Sequence, residues 1–413
     1  MNKNFLALGL AAALLAPQVA GAEGFAINEW SAEGVAMGGA RMFAEDDAAN
    51  VAYNPASITK VKGEVMKSSY TYLSPHGNYK LYDSNNDEIK GEPTHNKVHA
   101  GWAVGTYYVR QINDKEWFGI GAFPRFAMVS EFERGSKISS NAFFSKLNGV
   151  SVTPTYAHKF DKKWSAAVGA EINYVGLELQ KNSYDPRVQM NVGATQTEGE
   201  SYALGWNAAA NYAFDDKNEI GVVYRSRITH SLEADFKMYP ASGGKITADA
   251  YGVVTLPDSW DIGYNHKFDK KTRLELKATR TNWSTYDALN IYFDKPVFGK
   301  PNALSDKNWE NGWRYAIGLE HNLSDKYTVM AGFAFDESSI PYNGGDFMVP
   351  TGLRRTYSIG ARYNDKKQTV AVALGWMDVG NLDFAGHATD AYKSAHAYDS
   401  FTKIASISYQ RKF

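Results

Sequence analysis

The chain contains no cysteine, which removes disulfide bridges, thiolate zinc sites and a lipid-modified N-terminal cysteine. It also lacks an excess of either charge. With 44 Lys and Arg against 45 Asp and Glu the net charge is −1, no basic block is available for a phosphate backbone, and nucleic acid is not expected as a partner. Beyond the N-terminal leader no run of about 18 apolar residues occurs, which excludes a helical membrane protein. What is present is aromatic and small. Trp, Tyr and Phe make up 14% of 413 residues beside 36 glycines, a composition unusual for an ordinary soluble chain.

Residues 1–22 read as a secretory signal peptide: Lys3 gives a positive start, Leu6 to Ala16 an apolar stretch too short to span a bilayer, and Ala20-Gly21-Ala22 a cleavage site before Glu23. The rest is then exported, either free in a bacterial periplasm or embedded in the outer membrane.

The pattern that decides is a period of two, the signature of a strand whose side chains point alternately to opposite faces. Trp309, Trp313, Tyr315, Ile317 and Leu319 share one face, with Glu310, Gly312, Arg314, Gly318 and Glu320 on the other. The same split recurs at Leu256, Trp260, Ile262, Tyr264 and Phe268, at Tyr202, Leu204, Trp206, Tyr212 and Phe214, and at Trp164, Val168, Ile172 and Tyr174. Short polar turns fall at 113–115, 161–163, 215–218, 269–271, 324–326 and 364–367. Longer polar stretches near 74–95, 129–146, 180–200, 234–250, 286–308, 339–351 and 380–398 alternate with them and read as loops. Six turns and seven loops join fourteen strands. An even count with short turns on one side and long loops on the other predicts an all-β, 14-stranded antiparallel transmembrane β-barrel over residues 63–413. A soluble sandwich would hide an aliphatic face, whereas here Trp and Tyr gather at strand ends as interface girdles require.

The C-terminus agrees. Phe413, Tyr409 and Ile407 share a face and resemble the insertion signal of outer-membrane barrels, with Arg411 and Lys403 interrupting the row. This points to barrel-assembly machinery as a partner and to outer-membrane lipid and lipopolysaccharide as surroundings.

Residues 23–62 do not alternate. Small and apolar residues surround Gly34, Gly38 and Gly39, and Asn54-Pro55 breaks the chain just before the first strand. One reading is a helix pair outside the barrel; the other is a hatch plugging its lumen. The run Gly24-Phe25-Ala26-Ile27-Asn28-Glu29 with Ser31 and Gly34, then Ala44-Glu45-Asp46-Asp47-Ala48, then Tyr53-Asn54-Pro55-Ala56, resembles the N-terminal region of the FadL/TodX family. Leu256-Pro257-Asp258-Ser259 and the C-terminus match it more loosely.

The resemblance implies a fourteen-stranded barrel with an N-terminal hatch inside the lumen, taking up long-chain fatty acids or similar hydrophobic small molecules. It implies ligand capture by outer loops, a pocket against the hatch, and sideways exit into the bilayer through a kink in the third strand. Asn54, Pro55 and Ala56 are then the hatch motif, Phe25, Ile27, Phe123 and Phe126 candidate pocket residues, and Pro124 the candidate opening, because proline cannot donate to a strand ladder. The alternative is that Pro124 ends the strand near the outer rim. The family pattern usually has Pro-Phe adjacent at this point, whereas here Arg125 intervenes.

Other chemistry finds little footing. The nine histidines, His76, His95, His99, His158, His230, His266, His321, His387 and His396, are scattered, and no G-x-S-x-G, H-E-x-x-H or phosphate loop occurs. No catalytic residue, metal or cofactor is therefore expected. His158, His266 and His321 read as interfacial imidazoles. Asp83, Asn85 and Asp87 mimic a calcium loop, but Glu88 stands where glycine is required and Thr94 where a glutamate belongs. Tyr79, Tyr82, Phe143, Phe144, Tyr184 and Tyr239 are candidates for a greasy landing groove, against scattered surface positions. The expected function is passive uptake by a monomeric barrel; the rivals are a general or polar-substrate porin and a loop-mediated adhesin.

Overall fold

The computed structural model describes residues 24–98, 100–297 and 299–413. The segment read as a signal peptide and His99 lie outside the described residues.

Nineteen strand segments form one sheet. Five of its strands are each interrupted once, so the segments make fourteen antiparallel strands. They are β1 (Glu64–Tyr82), β2 (Gly101–Gln111), β3 (Glu116–Glu131), β4 (Phe144–Lys159), β5 (Trp164–Asp185), β6 (Met190–Ala213), β7 (Asn218–Arg225 and Ile228–Pro240) and β8 (Ile246–Leu256 and Ser259–Lys267). There follow β9 (Thr272–Thr281 and Ala288–Val297), β10 (Lys300–Asp306 and Gly312–Asn322), β11 (Tyr327–Asp336), β12 (Arg354–Asn364), β13 (Gln368–Val379 and Leu382–Ala385) and β14 (Ser394–Lys412). Pairing of β1 with β14, from Val65 opposite Lys412 to Tyr82 opposite Ser394, closes the barrel and removes its edges.

Alternation fixes the register. On β1, Lys67, Ser69 and Thr71 face inward and are at most 1% exposed, while Tyr70 faces out. Leu204, Ile359 and Leu374 likewise project from the wall, as a lipid-facing surface requires. A slip of one residue would move Lys67 into the membrane, so each strand has one acceptable register.

All six short turns use one local device. The side-chain oxygen of Asp161 accepts from the Lys163 and Trp164 N–H groups, and Asp215, Asp269 and Asp365 accept from the N–H groups two and three residues on. Asn113 and Ser324 do the same with fewer or longer bonds. These bonds hold the Asp161, Asp269 and Asp365 carboxyls below their ordinary range; for Asp215 the Asn218 side chain is the first cause and the main-chain bonds add to it.

The opposite end differs from the sequence-based expectation. Three stretches that read as loops are paired strand: β5 and β6 stay paired up to Asp185 opposite Met190, β7 and β8 up to Met238 opposite Ile246, and β9 and β10 up to Val297 opposite Lys300. Above the membrane both faces of a strand meet water, so the alternation disappears while the hydrogen bonding continues. Long connections remain at 83–98, 132–143, 337–353 and 386–393.

A second difference bears on the lumen. Leu256 and Trp309 were expected on the lipid face with Trp260 and Trp313, yet they are 0% and 4% exposed. Both lie at strand breaks. β7 to β10 are interrupted on neighbouring strands, at 226–227, 257–258, 282–287 and 307–311, where Pro257 withholds a donor and Trp283–Thr285 forms a short 3-10 turn. The breaks in β7, β8 and β10 reverse the parity of the inward positions while that in β9 keeps it, and apolar side chains at or beside all four, Ile228, Leu256, Trp283 and Trp309, are turned inward.

Candidate functional site

Residues 24–62 contact strands all around the closed barrel, which places them inside it. The segment contains two short helices, α1 (Ala32–Ala36) and α2 (Asn50–Tyr53), then a 3-10 helix (Pro55–Lys60). Ser31 caps α1 by accepting from Gly34 N–H at 3.0 Å. The Tyr53 hydroxyl gathers the fold: it accepts from Trp30 and Ser31 N–H and donates to the Asn28 carbonyl. A Cβ on Gly34 would lie 1.8 Å from that hydroxyl, so only glycine fits.

Asn54, Pro55 and Ala56 have structural work. The Asn54 side chain accepts from Ala56 N–H and donates to Asn211 of β6 at 2.7 Å, while Asn211 donates in turn to Ser57. Pro55 opens the 3-10 helix, where its missing N–H costs nothing.

Below this level the N-terminal segment is held by charge. Lys67 of β1 meets Glu33 at 2.7 Å and Asp47 at 2.9 Å; Arg41 meets Asp47 at 3.1 Å and Glu320 of β10 at 2.8 Å. Arg273 of β9 and Arg362 of β12 both reach Glu320 at 3.0 Å. Nearer the short turns, Lys60 pairs with Glu219, Glu45 with Lys267 and Asp46 with Lys412. Barrel side chains also satisfy hatch main chain: Ala32 N–H donates to Ser408, Met42 N–H to Glu275, and Ala48 N–H to Gln410. A short, irregular segment leaves many backbone groups unpaired, so the inward face of the barrel supplies them with partners.

Above it, the attachment changes character. The ladder between β2 and β3 stops at Thr106 opposite Ala122, yet β3 continues to Glu131. Pro124 therefore lies within the strand rather than at its end, and the register with β4 shifts between Pro124 and Phe126. Along the edge of β3 that β2 leaves open, the N-terminal segment pairs instead: Ile27 N–H donates to the Arg125 carbonyl at 2.8 Å, and Ala127 N–H to the Phe25 carbonyl at 2.9 Å. The Trp30 indole donates to the Pro124 carbonyl at 2.6 Å. Arg125 turns its guanidinium to Glu171 of β5, with 3.0 Å to each carboxylate oxygen.

The four expected pocket residues flank this irregularity in two groups. Phe25 and Phe126 touch edge-on, in a cage completed by Trp283, Tyr286 and Trp309 with ring centroids 4.6 to 6.0 Å from Phe25. Phe123 packs on Trp30 at 5.3 Å, and Ile27 belongs to the same apolar cluster. The sequence reading missed Trp30, Trp283, Tyr286 and Trp309, the last because it followed the alternation across a break.

Of the loop aromatics, Tyr79 packs against Phe132 and Phe347 in a buried cluster and Tyr239 projects from a hairpin. An apolar cavity of about 80 Å³ lies instead among Leu179, Phe236, Leu289, Ile291 and Phe293 of the outer hairpins and Met348 of the 337–353 connection, with Lys181 also in its lining. His266 and His321 bond Asn218 and Thr272 on neighbouring strands, and no group of metal-ligating side chains occurs among the described residues.

The family model described as "Outer membrane protein transport protein (OMPP1/FadL/TodX)" matches residues 13–413. The long-chain fatty acid transport protein of Escherichia coli (strain K12) is 24% identical, covering 90% of this chain and 91% of that protein. Outer membrane protein P1 of Haemophilus influenzae (strain ATCC 51907 / DSM 11121 / KW20 / Rd) is also 24% identical, with 88% and 86% covered. Among solved structures, a Pseudomonas aeruginosa FadL homologue superposes with a TM-score of 0.85 at 18% identity, covering 94% of this chain and 100% of the other. The Pseudomonas putida toluene transporter TodX gives 0.73 at 16% identity, with 95% and 100% covered. With a family model spanning nearly its whole length and a closed fourteen-stranded barrel to match, the chain belongs to the OMPP1/FadL/TodX family of bacterial outer-membrane transport proteins.

Proposed function

We propose that this protein takes up long-chain fatty acids or similar hydrophobic compounds across the outer membrane and delivers them sideways into the bilayer. The observation that carries the reading is the coincidence of three features at one height: the unpaired stretch between β2 and β3, the bulge at Pro124 to Phe126, and an aromatic cage immediately inside. An apolar ligand moving from that cage through the wall exchanges protein contacts for lipid contacts. It avoids hydration of its apolar surface, which would cost about 25 cal/mol per Å². No energy source beyond the concentration gradient is needed.

In this reading the cavity among the outer hairpins is the landing site, Phe25, Ile27, Phe123 and Phe126 line the route, and Pro124 marks the exit. Residues 23–62 act as the plug, and the protein works as a monomer. A porin would need a water-filled lumen, whereas this one is occupied by buried hatch side chains such as Arg41, Phe43 and Tyr53. The relatives' names divide between fatty acids and toluene. Saturable binding of a fluorescent long-chain fatty acid to the purified folded protein, competed by alkylbenzenes but not by a sugar, is the expected result. No binding together with steady ion conductance in planar bilayers would sink the reading.

A further inference from the structure

Arg41, Lys67 and Arg273 each face a carboxylate, as do Arg125 and Arg314. Arg225 of β7 does not. It is 2% exposed, no carboxylate of the described residues lies within ion-pair distance, and only its Nη2 is engaged, by the Ala52 carbonyl at the end of α2. Its Nε and Nη1 are buried without an acceptor. The Trp30 and Phe123 rings both lie 5.8 Å from the guanidinium.

Its neighbours along the wall share the deficit. Asn207 of β6 stands directly opposite Arg225, Gly169 of β5 opposite Asn207, and Thr155 of β4 opposite Gly169, which makes one inward-facing row. Both polar atoms of the Asn207 side chain and the Thr155 hydroxyl are buried and unpartnered. Gly169 has no side chain, and those of Asn207 and Thr155 close over it. A Cβ there would lie 2.8 Å from Asn207 Nδ2 and 2.9 Å from Thr155 Oγ1. A buried cation with no carboxylate in contact, flanked by orphaned polar groups, is unfavourable unless something supplies an anion.

We propose that Arg225, assisted by Asn207 and Thr155, is the seat for the carboxylate head of an amphipathic acid whose tail lies among Trp30, Phe123 and the aromatic cage. The proposal rests on the uptake reading above and narrows it: this chain is built for long-chain acids in preference to neutral hydrocarbons. Arg225 Nε–H and Nη1–H and the Asn207 amide donate to the carboxylate, and charge-assisted bonds of this kind are strong where water is excluded. A neutral ligand entering the same route leaves the guanidinium unpaired.

The test compares oleate with oleyl alcohol, which differ at the head group, for binding to the folded protein above neutral pH. Arg225→Met should weaken oleate binding roughly tenfold or more while leaving oleyl alcohol within about twofold, and Arg225→Lys should restore much of the difference. Asn207→Ala, which keeps the cation, should show the same selective loss at a smaller size and serves where Arg225→Met does not fold. Heat-modifiable migration on a gel identifies the folded fraction. Unchanged oleate affinity, or equal losses for both ligands, would overturn the seat while leaving uptake intact. Failure of both ligands to bind the unaltered protein would overturn the uptake reading as well.

Discussion

The two ends of the hatch are fastened by different physics. From Glu33 to Lys60 the segment is gripped by buried ion pairs and by barrel side chains that cap its main chain. From Gly24 to Trp30 it is held by a short stretch of borrowed strand edge and by the faces and edges of aromatic rings. Buried ion pairs tolerate little displacement, because separating them leaves charge in a low-dielectric interior. Apolar and edge-strand contacts are exchangeable, since a ligand tail or a lipid chain offers an equivalent surface. In the proposed cycle the inner end of the hatch stays and seals, while the outer end yields and lets the ligand pass.

Removing the distinction altogether should have the largest effect. Deleting residues 24–50 takes away the outer fastening and most of the inner one, leaving Lys60 on Glu219, and should raise single-channel conductance from nearly closed to a porin-like level. Unchanged conductance in planar bilayers would show that these residues do not seal the lumen.

The next test freezes the exchangeable end. Ala26 and Phe126 oppose each other in an isolated bridge, a geometry within reach of a disulfide. Because the chain has no cysteine of its own, Ala26→Cys with Phe126→Cys introduces a single pair. Oxidation should abolish fatty acid uptake by cells and reduction should restore it, with the barrel folded throughout. Uptake at full rate in the oxidised form would point to passage along the barrel axis instead.

The third weakens the fixed end. Lys67→Met strands Glu33 and leaves Asp47 with Arg41 alone, in a site where the Lys67 side chain is 1% exposed, and should destabilise the hatched barrel by about 3–5 kcal/mol. The midpoint of denaturant unfolding measures this. A change no larger than that at an exposed pair such as Lys97 and Glu133 would mean the network carries no load.

The smallest effect lies outside the comparison and calibrates it. The turn carboxyls Asp161, Asp215, Asp269 and Asp365 are held below their ordinary value of 3.8 in the folded chain. Their contribution is therefore fully present above that value and lost as pH falls through the lower folded values. Stability should fall slightly more steeply with acid in the native chain than in an Asp161→Asn, Asp269→Asn double variant, read by thermal unfolding below pH 4. Identical pH profiles would remove the turn contribution.

Much of this was legible in the chain. Strand count, direction and inward parity followed from alternation and from the polar turns, because a strand between water and lipid must sort its side chains by face. Asn54-Pro55 was legible as a break in the chain before the first strand, though not that Asn54 pins the segment to Asn211. Legibility failed where one face no longer met lipid. The outer hairpins looked like loops because both faces are wet, and Leu256 and Trp309 were misplaced because a strand break reverses parity without any local mark stronger than Pro257.

The sequence by itself determined a closed, lipid-facing sheet with a non-alternating segment ahead of it, since periodicity is a local property of the chain. Only the tertiary structure decided what meets inside. The gap beside β3, the cage around Phe25 and the unpaired guanidinium of Arg225 join residues far apart in sequence. Their positions depend on barrel closure, strand register and four aligned breaks, none of which any single segment encodes.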